Sequence, residues 1–185
     1  MSLWTEVSHI LSIPSFRLII LQGVIGTLPW NAMVFYTLWF QLLGFSDFTS
    51  SILLSAFNIG CALGGVIGGV VADALAFRFP DSGRIMAAQI SCISGFPLFF
   101  ILFKILPLVL VTWRAFLFGI VLLLLGSLIS WCGSCCNAPM FSELVPWTLY
   151  NKIFAFDRSF EGAIASMAAR SEERRVGKEC RSRWS

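Results

Sequence analysis

Apolar residues run along this chain in five long stretches separated by short polar joints. Residues 16–43 carry only Arg17, at their start, and residues 49–75 are uncharged until Asp73. Residues 85–103 and 115–136 carry no charge, and residues 152–169 open a fifth apolar pattern. A helix rises about 1.5 Å per residue, so about 20 apolar residues cross a hydrocarbon core of about 30 Å. The pattern predicts an all-α chain, a polytopic transmembrane helical bundle. A β-barrel would show short alternating segments instead. Leu3, Trp4, Val7, Ile10 and Leu11 predict a short amphipathic helix on the cytoplasmic membrane surface within residues 1–15. That segment lacks the basic start of a signal peptide.

Composition agrees. Hydrophobic residues make up 57% of the chain and charged residues 12%, with a mean hydropathy of +0.83. Soluble domains carry about 25% charged residues, so this chain has too little polar surface to face water. The formal charge of +3 resides in residues 170–185 (RSEERRVGKECRSRWS), which hold six basic and three acidic residues. The preceding residues balance seven of each. This string resembles a sequencing adapter translated in frame, and residues 170–185 are expected to be a non-native tail; a true basic cytoplasmic tail is the other reading. With the amino terminus cytoplasmic, that side holds Arg17, Arg78, Arg84, Lys152 and Arg158, and the other holds Lys104 and Arg114. The excess predicts this orientation.

Chemistry-bearing residues are sparse. Cys61, Cys92, Cys132, Cys135 and Cys136 lie in apolar stretches, and Cys132 and Cys135 have metal or redox spacing without a second pair or a nearby histidine. They read as small packing residues. No nucleotide-binding loop, histidine cluster or nucleophile triad accompanies them. No catalytic residue, metal, cofactor or nucleic-acid partner is expected.

The most informative segment is residues 60–84, GCALGGVIGGVVADALAFRFPDSGR. Gly60, Gly64 and Gly68 recur every four residues, as do Gly65 and Gly69, which lead to Asp73. Two glycine stripes would let a neighbouring helix approach closely, a structural role. A carboxylate at a span's end needs headgroups or a partner, and Arg78 and Arg84 are within reach. Gly69, Asp73, Gly83 and Arg84 resemble the cytoplasmic loop motif of the major facilitator superfamily. The joint here is longer, and Ala74 stands where the motif has a basic residue. The longer form resembles plant and protist members, loosely spinster-like.

Residues 137–146 (NAPMFSELVP) leading into 154–162 (FAFDRSFEG) support the same resemblance. It implies part of a carboxy-terminal half, spanning residues 16–169, with the amino-terminal half of the same protein missing. It also implies transport of a small-molecule solute across the lipid bilayer by alternating access, with a coupling proton or ion. A membrane structural or receptor-like bundle without transport is the alternative. Asp157 and Glu161 lie one helical turn apart with Arg158 between them. They read either as an interfacial salt-bridge set or as a gate latch or coupling site. In the first stretch, Pro29 is expected to kink the helix beside Trp30 and Asn31. The resemblance makes Trp30, Asn31 and Tyr36 candidates for a central cavity, and Gln89 shares the ambiguity; simple packing or an interhelical hydrogen bond is the other reading.

Overall fold

A computed structural model of the chain describes residues 14–109, 113–144, 150–152, 154–164 and 166–167. The predicted surface helix in residues 1–13 and the tail 170–185 lie outside the described residues, as does Pro146. Every described element is helical. In chain order they are α1 (Pro14–Ala32), a 3-10 turn (Met33–Phe35), α2 (Tyr36–Leu42), α3 (Asp47–Arg78), α4 (Gly83–Phe100), α5 (Arg114–Ile129) and α6 (Ala138–Leu144). The helical residues 154–164 are α7. The chain divides into two compact units, Phe35–Met140 and Met1–Val34 with Phe141–Ser185.

In the Phe35–Met140 unit, α3 lies against both α4 and α5. Asp47–Arg78 and Gly83–Leu108 are long and apolar enough to cross a membrane, with 32 and 26 residues. At about 1.5 Å per residue these span roughly 48 and 39 Å. The shorter apolar helix Arg114–Ile129 has 16 residues. Of the five predicted spans, these two therefore reach membrane-crossing length among the described residues. The first predicted span is interrupted at Met33–Phe35, one turn after Pro29 rather than at it.

The joint between α2 and α3 follows from local chemistry. Gly44, at φ +88°, ends α2 in the left-handed region that glycine enters without a Cβ clash. Its N–H donates to Gln41 O (2.9 Å) and that of Phe45 to Phe40 O (3.1 Å). The Phe40 and Phe45 rings then meet edge-on at 6.3 Å, the apolar contact that accompanies this helix end. Ser46 caps α3 by accepting from the Thr49 N–H at 3.2 Å. Helix α3 therefore begins at Asp47, two residues before the predicted span.

Packing inside this unit uses small residues. Gly60, Gly64, Gly68 and Ala72 are buried on α3, and Ala87, Ser91 and Gly95 on α4. A Cβ at Gly60 would overlap the Leu123 backbone, at Gly64 the Ser127 carbonyl, and at Gly68 the Trp131 side chain. Reciprocally, a Cβ at Gly126 of α5 would overlap the Phe57 carbonyl. Backbones thus touch directly, and Ser91 Oγ donates to Leu128 O across the α4–α5 contact at 2.6 Å. Large apolar side chains point the other way: Val66, Val70, Ile93 and Phe96 are 68–76% exposed.

Two π-helical turns interrupt the helices, at Ile101–Ile105 and Cys132–Asn137. Each precedes a proline, Pro107 or Pro139. A proline ring collides with the carbonyl four residues earlier, here that of Phe103 or Cys135, and both lie inside the widened turns. The second turn places the Cys135 thiol where it donates to Gly65 O at 3.2 Å. At the α2 end of the unit, Arg114 donates to Leu43 O (3.2 Å) and lies over the Phe45 and Phe118 rings at 4.9 and 5.6 Å.

Candidate functional site

Two groups of charged residues stand out, one in each unit. The first lies where α3 turns into α4. The predicted joint over residues 76–84 is largely helix: α3 continues to Arg78 and α4 starts at Gly83, leaving residues 79–82 between them. Gly83 makes this tight return possible. Its N–H donates to Phe79 O at 2.7 Å, and a Cβ there would overlap the Leu75 carbonyl and approach Ala76 N. With Gly83 pressed on the end of α3, Arg84 reaches back to Asp73, its Nη1 3.3 Å from Oδ1. The Arg84 side chain is 21% exposed and that of Asp73 is 74% exposed. Arg78, the other partner considered from sequence, ends α3 exposed to solvent.

Behind this pair Ala72, Ala87, Trp131, Cys135 and Cys136 form a buried cluster. Trp131 Nε1 donates to Ser127 O at 2.7 Å. The expectation that the Gly65–Gly69 stripe seats a neighbouring helix needs correction. A Cβ at either position meets nothing within 4 Å, and the packing stripe is Gly60, Gly64 and Gly68. Helical periodicity set the two stripes about 100° apart, and only one of them can face α5.

The second group belongs to α7. Asp157 is fully buried, and its Oδ2 lies 3.6 Å from Arg158 Nη2. Among the described residues, neither Asp157 oxygen has a hydrogen-bond partner. Arg158 Nη1 lies 2.9 Å from Glu161 Oε2, and the Glu161 side chain is 4% exposed. The Arg158 guanidinium, 40% exposed, also covers the Phe154 ring at 5.2 Å. Within the same unit the Glu161 carboxyl sits against Gly23 of α1, where a Cβ would overlap Oε1. Sequence reading paired Asp157, Arg158 and Glu161 by their spacing. It missed Gly23, because nothing local connects residues so far apart.

No protein-family model, curated protein or solved structure matches this chain.

The cavity candidates are divided between the two units. Tyr36 is buried, its ring 6.0 Å from Phe103 and 6.1 Å from Phe40. In that setting it packs an aromatic cluster completed by Trp39 and Phe118. Gln89 is exposed on α4. Trp30 is 41% exposed near the end of α1, and the Asn31 side chain lies outside what the structure describes. Tyr36 and Gln89 belong to one unit, Trp30 and Asn31 to the other. Among the described residues, no group of three His, Cys, Asp or Glu could hold a metal ion.

Proposed function

We propose that this chain is part of a multi-pass integral membrane protein, a secondary transporter that moves a small solute by alternating access. The observation that carries the proposal is the α3–α4 joint. Gly83 lies against the backbone of Leu75, and Arg84 thereby meets Asp73. These are residues on which the resemblance to the major facilitator superfamily rests. Inside-out packing supports the membrane setting: small residues form the helix contacts, and large apolar ones face outward. Hydrocarbon can solvate that outer surface, which water would not.

In this reading the joint 79–82 is cytoplasmic, and the Asp73–Arg84 pair holds the ends of α3 and α4 together while the inner side is closed. Opening separates groups at this end, so weakening the pair biases the equilibrium between the two states. Within the Phe35–Met140 unit, the exposed Gln89 is the candidate for lining the solute cavity.

A second reading, a structural or receptor-like bundle, is favoured by the glycine stripe alone, which helix packing explains fully. One experiment separates the two. In a cysteine-free background of the complete protein, Gln89→Cys should react with a membrane-impermeant reagent at a rate that depends on Asp73. Alternating access predicts that adding Asp73→Asn raises that rate from the cytoplasmic side. An unchanged rate in a normally folded double variant would favour the static bundle.

A further inference from the structure

Cys132, Cys135 and Cys136 fall within one π-helical turn. Their order along the chain suggests Cys132 and Cys135 as a redox pair. The fold turns those two apart. Cys135 is buried and its thiol donates to Gly65 O of α3 at 3.2 Å, so it points to a neighbouring helix. The widened turn brings Cys132 to Cys136 instead. The Ala138 N–H donates to Gly133 O, five residues back rather than four. Such a turn takes more than four residues to close, so residues four apart stand nearly in line along the axis. In an α-helix they would be offset by about 40°. Four residues of helix rise about 6 Å at most, within the Cα separation of about 4.4–6.8 Å that a disulfide spans. Electrostatics agree with this pairing: of the other thiols, Cys132 acts most strongly on Cys136, ahead of adjacent Cys135 and of Cys92 on α4.

We propose that Cys132 and Cys136 are a peroxide-sensitive dithiol that closes to a disulfide across the π turn. Cys132 is partly exposed and is the point of attack, whereas Cys136 is fully buried in the cluster around Trp131. The oxidant is hydrogen peroxide, which is small and uncharged. Cys132 Sγ attacks one peroxide oxygen, the O–O bond breaks, and a sulfenic acid forms with release of one water. Cys136 Sγ then attacks that sulfur. The S–S bond forms, the S–O bond breaks, and the oxygen leaves as a second water with the Cys136 thiol proton. Two thiols thus lose two electrons and two protons, and one peroxide becomes two waters. A resolving thiol so close traps the sulfenic acid before it oxidises further.

The bond would form in packing that matters to the rest of the unit. Cys135 and Cys136 belong to the buried cluster behind Asp73 and Arg84, together with Ala72 and Ala87. Pro139 holds the turn open from the backbone, because its ring excludes the α-helical position of the Cys135 carbonyl. The disulfide ties the same turn through its side chains. Cys92, exposed on α4, is the competing partner, and a bond to it would join two helices rather than one turn. Neither step depends on whether the protein is a transporter.

Peptide mapping of the full chain in bilayers tests the pair directly. Hydrogen peroxide is added at a dose that leaves the methionines unoxidised, the chain is unfolded without reductant, and the remaining thiols are alkylated. In the peptide that holds the three cysteines, Cys135 should carry the alkyl group and two hydrogens should be missing. Dithiothreitol should return all three thiols to the alkylated form. These readings come from the wild-type chain and need no variant to fold. Cys135→Ser should keep the disulfide, and Cys132→Ser should lose it. Alkylation of Cys136 in place of Cys135 would show the Cys132–Cys135 pair and overturn the proposal. A cross-link to Cys92 would overturn it too, as would three intact thiols or a sulfinic acid at Cys132 without a disulfide.

Discussion

Gly64 and Gly65 are adjacent on α3, yet replacing each with alanine should move stability in opposite directions. At Gly65 an added methyl meets nothing within 4 Å. Alanine is favoured over glycine inside a helix by roughly 0.5–1 kcal/mol, because it restricts the unfolded chain. The Cys135–Gly65 hydrogen bond uses a backbone carbonyl and survives the change. Gly65→Ala should therefore stabilise by about that amount. At Gly64 the methyl would overlap Ser127 O and Ser130 Oγ and come within 2.7 Å of the Ser127 carbonyl carbon. Backbone cannot rotate aside as a side chain can, so α3 and α5 must separate. Overpacking of this kind costs about 1–3 kcal/mol, which exceeds the propensity gain in most of that range. The propensity gain is common to both, so the two variants should differ by roughly 1–3 kcal/mol, where 1.4 kcal/mol is a tenfold change in the folded-to-unfolded ratio. Unfolding of the purified chain in mixed micelles, followed by circular dichroism against increasing denaturing detergent, would measure the difference. Equal destabilisation by both variants, or the reverse order, would refute the assignment of the packing face.

Other expectations test the remaining contacts. Ser91→Ala removes the bond to Leu128 O and should cost about 1 kcal/mol in the same unfolding assay; a neutral result would show that the α4–α5 contact is looser than its 2.6 Å distance implies. A double-mutant cycle of Asp73→Asn and Arg84→Gln should give a coupling of at most about 1 kcal/mol, because solvent screens the exposed carboxylate. A coupling above roughly 2 kcal/mol would mean that Asp73 is far less exposed than 74%. In the folded chain a thiol reagent should modify Cys92, which is exposed, well before Cys136, which is buried; equal rates would contradict the packing beside Trp131.

Local signals in the sequence determined the helical class, the apolar stretches and the places where the chain turns. Gly44 with Ser46, and the short run before Gly83, act through neighbours a few residues away, so their chemistry is written in order along the chain. The pairing of Asp73 with Arg84 was also legible, since two helices joined by a short turn must bring such residues together. What tertiary structure decided is which way each helix faces. Periodicity relates residues on one helix to each other but leaves the helix's rotation free. Gly60, Gly64 and Gly68 were therefore indistinguishable from Gly65 and Gly69 until α5 took its place. The same holds for depth. Spacing put Asp157, Arg158 and Glu161 on one helical turn, but the seat of the buried Glu161 carboxyl against Gly23 depends on a helix more than a hundred residues earlier. The widened turns before Pro107 and Pro139 were not read from the sequence. Contacts between distant segments depend on the energy of the whole assembly, and no short window of sequence contains it.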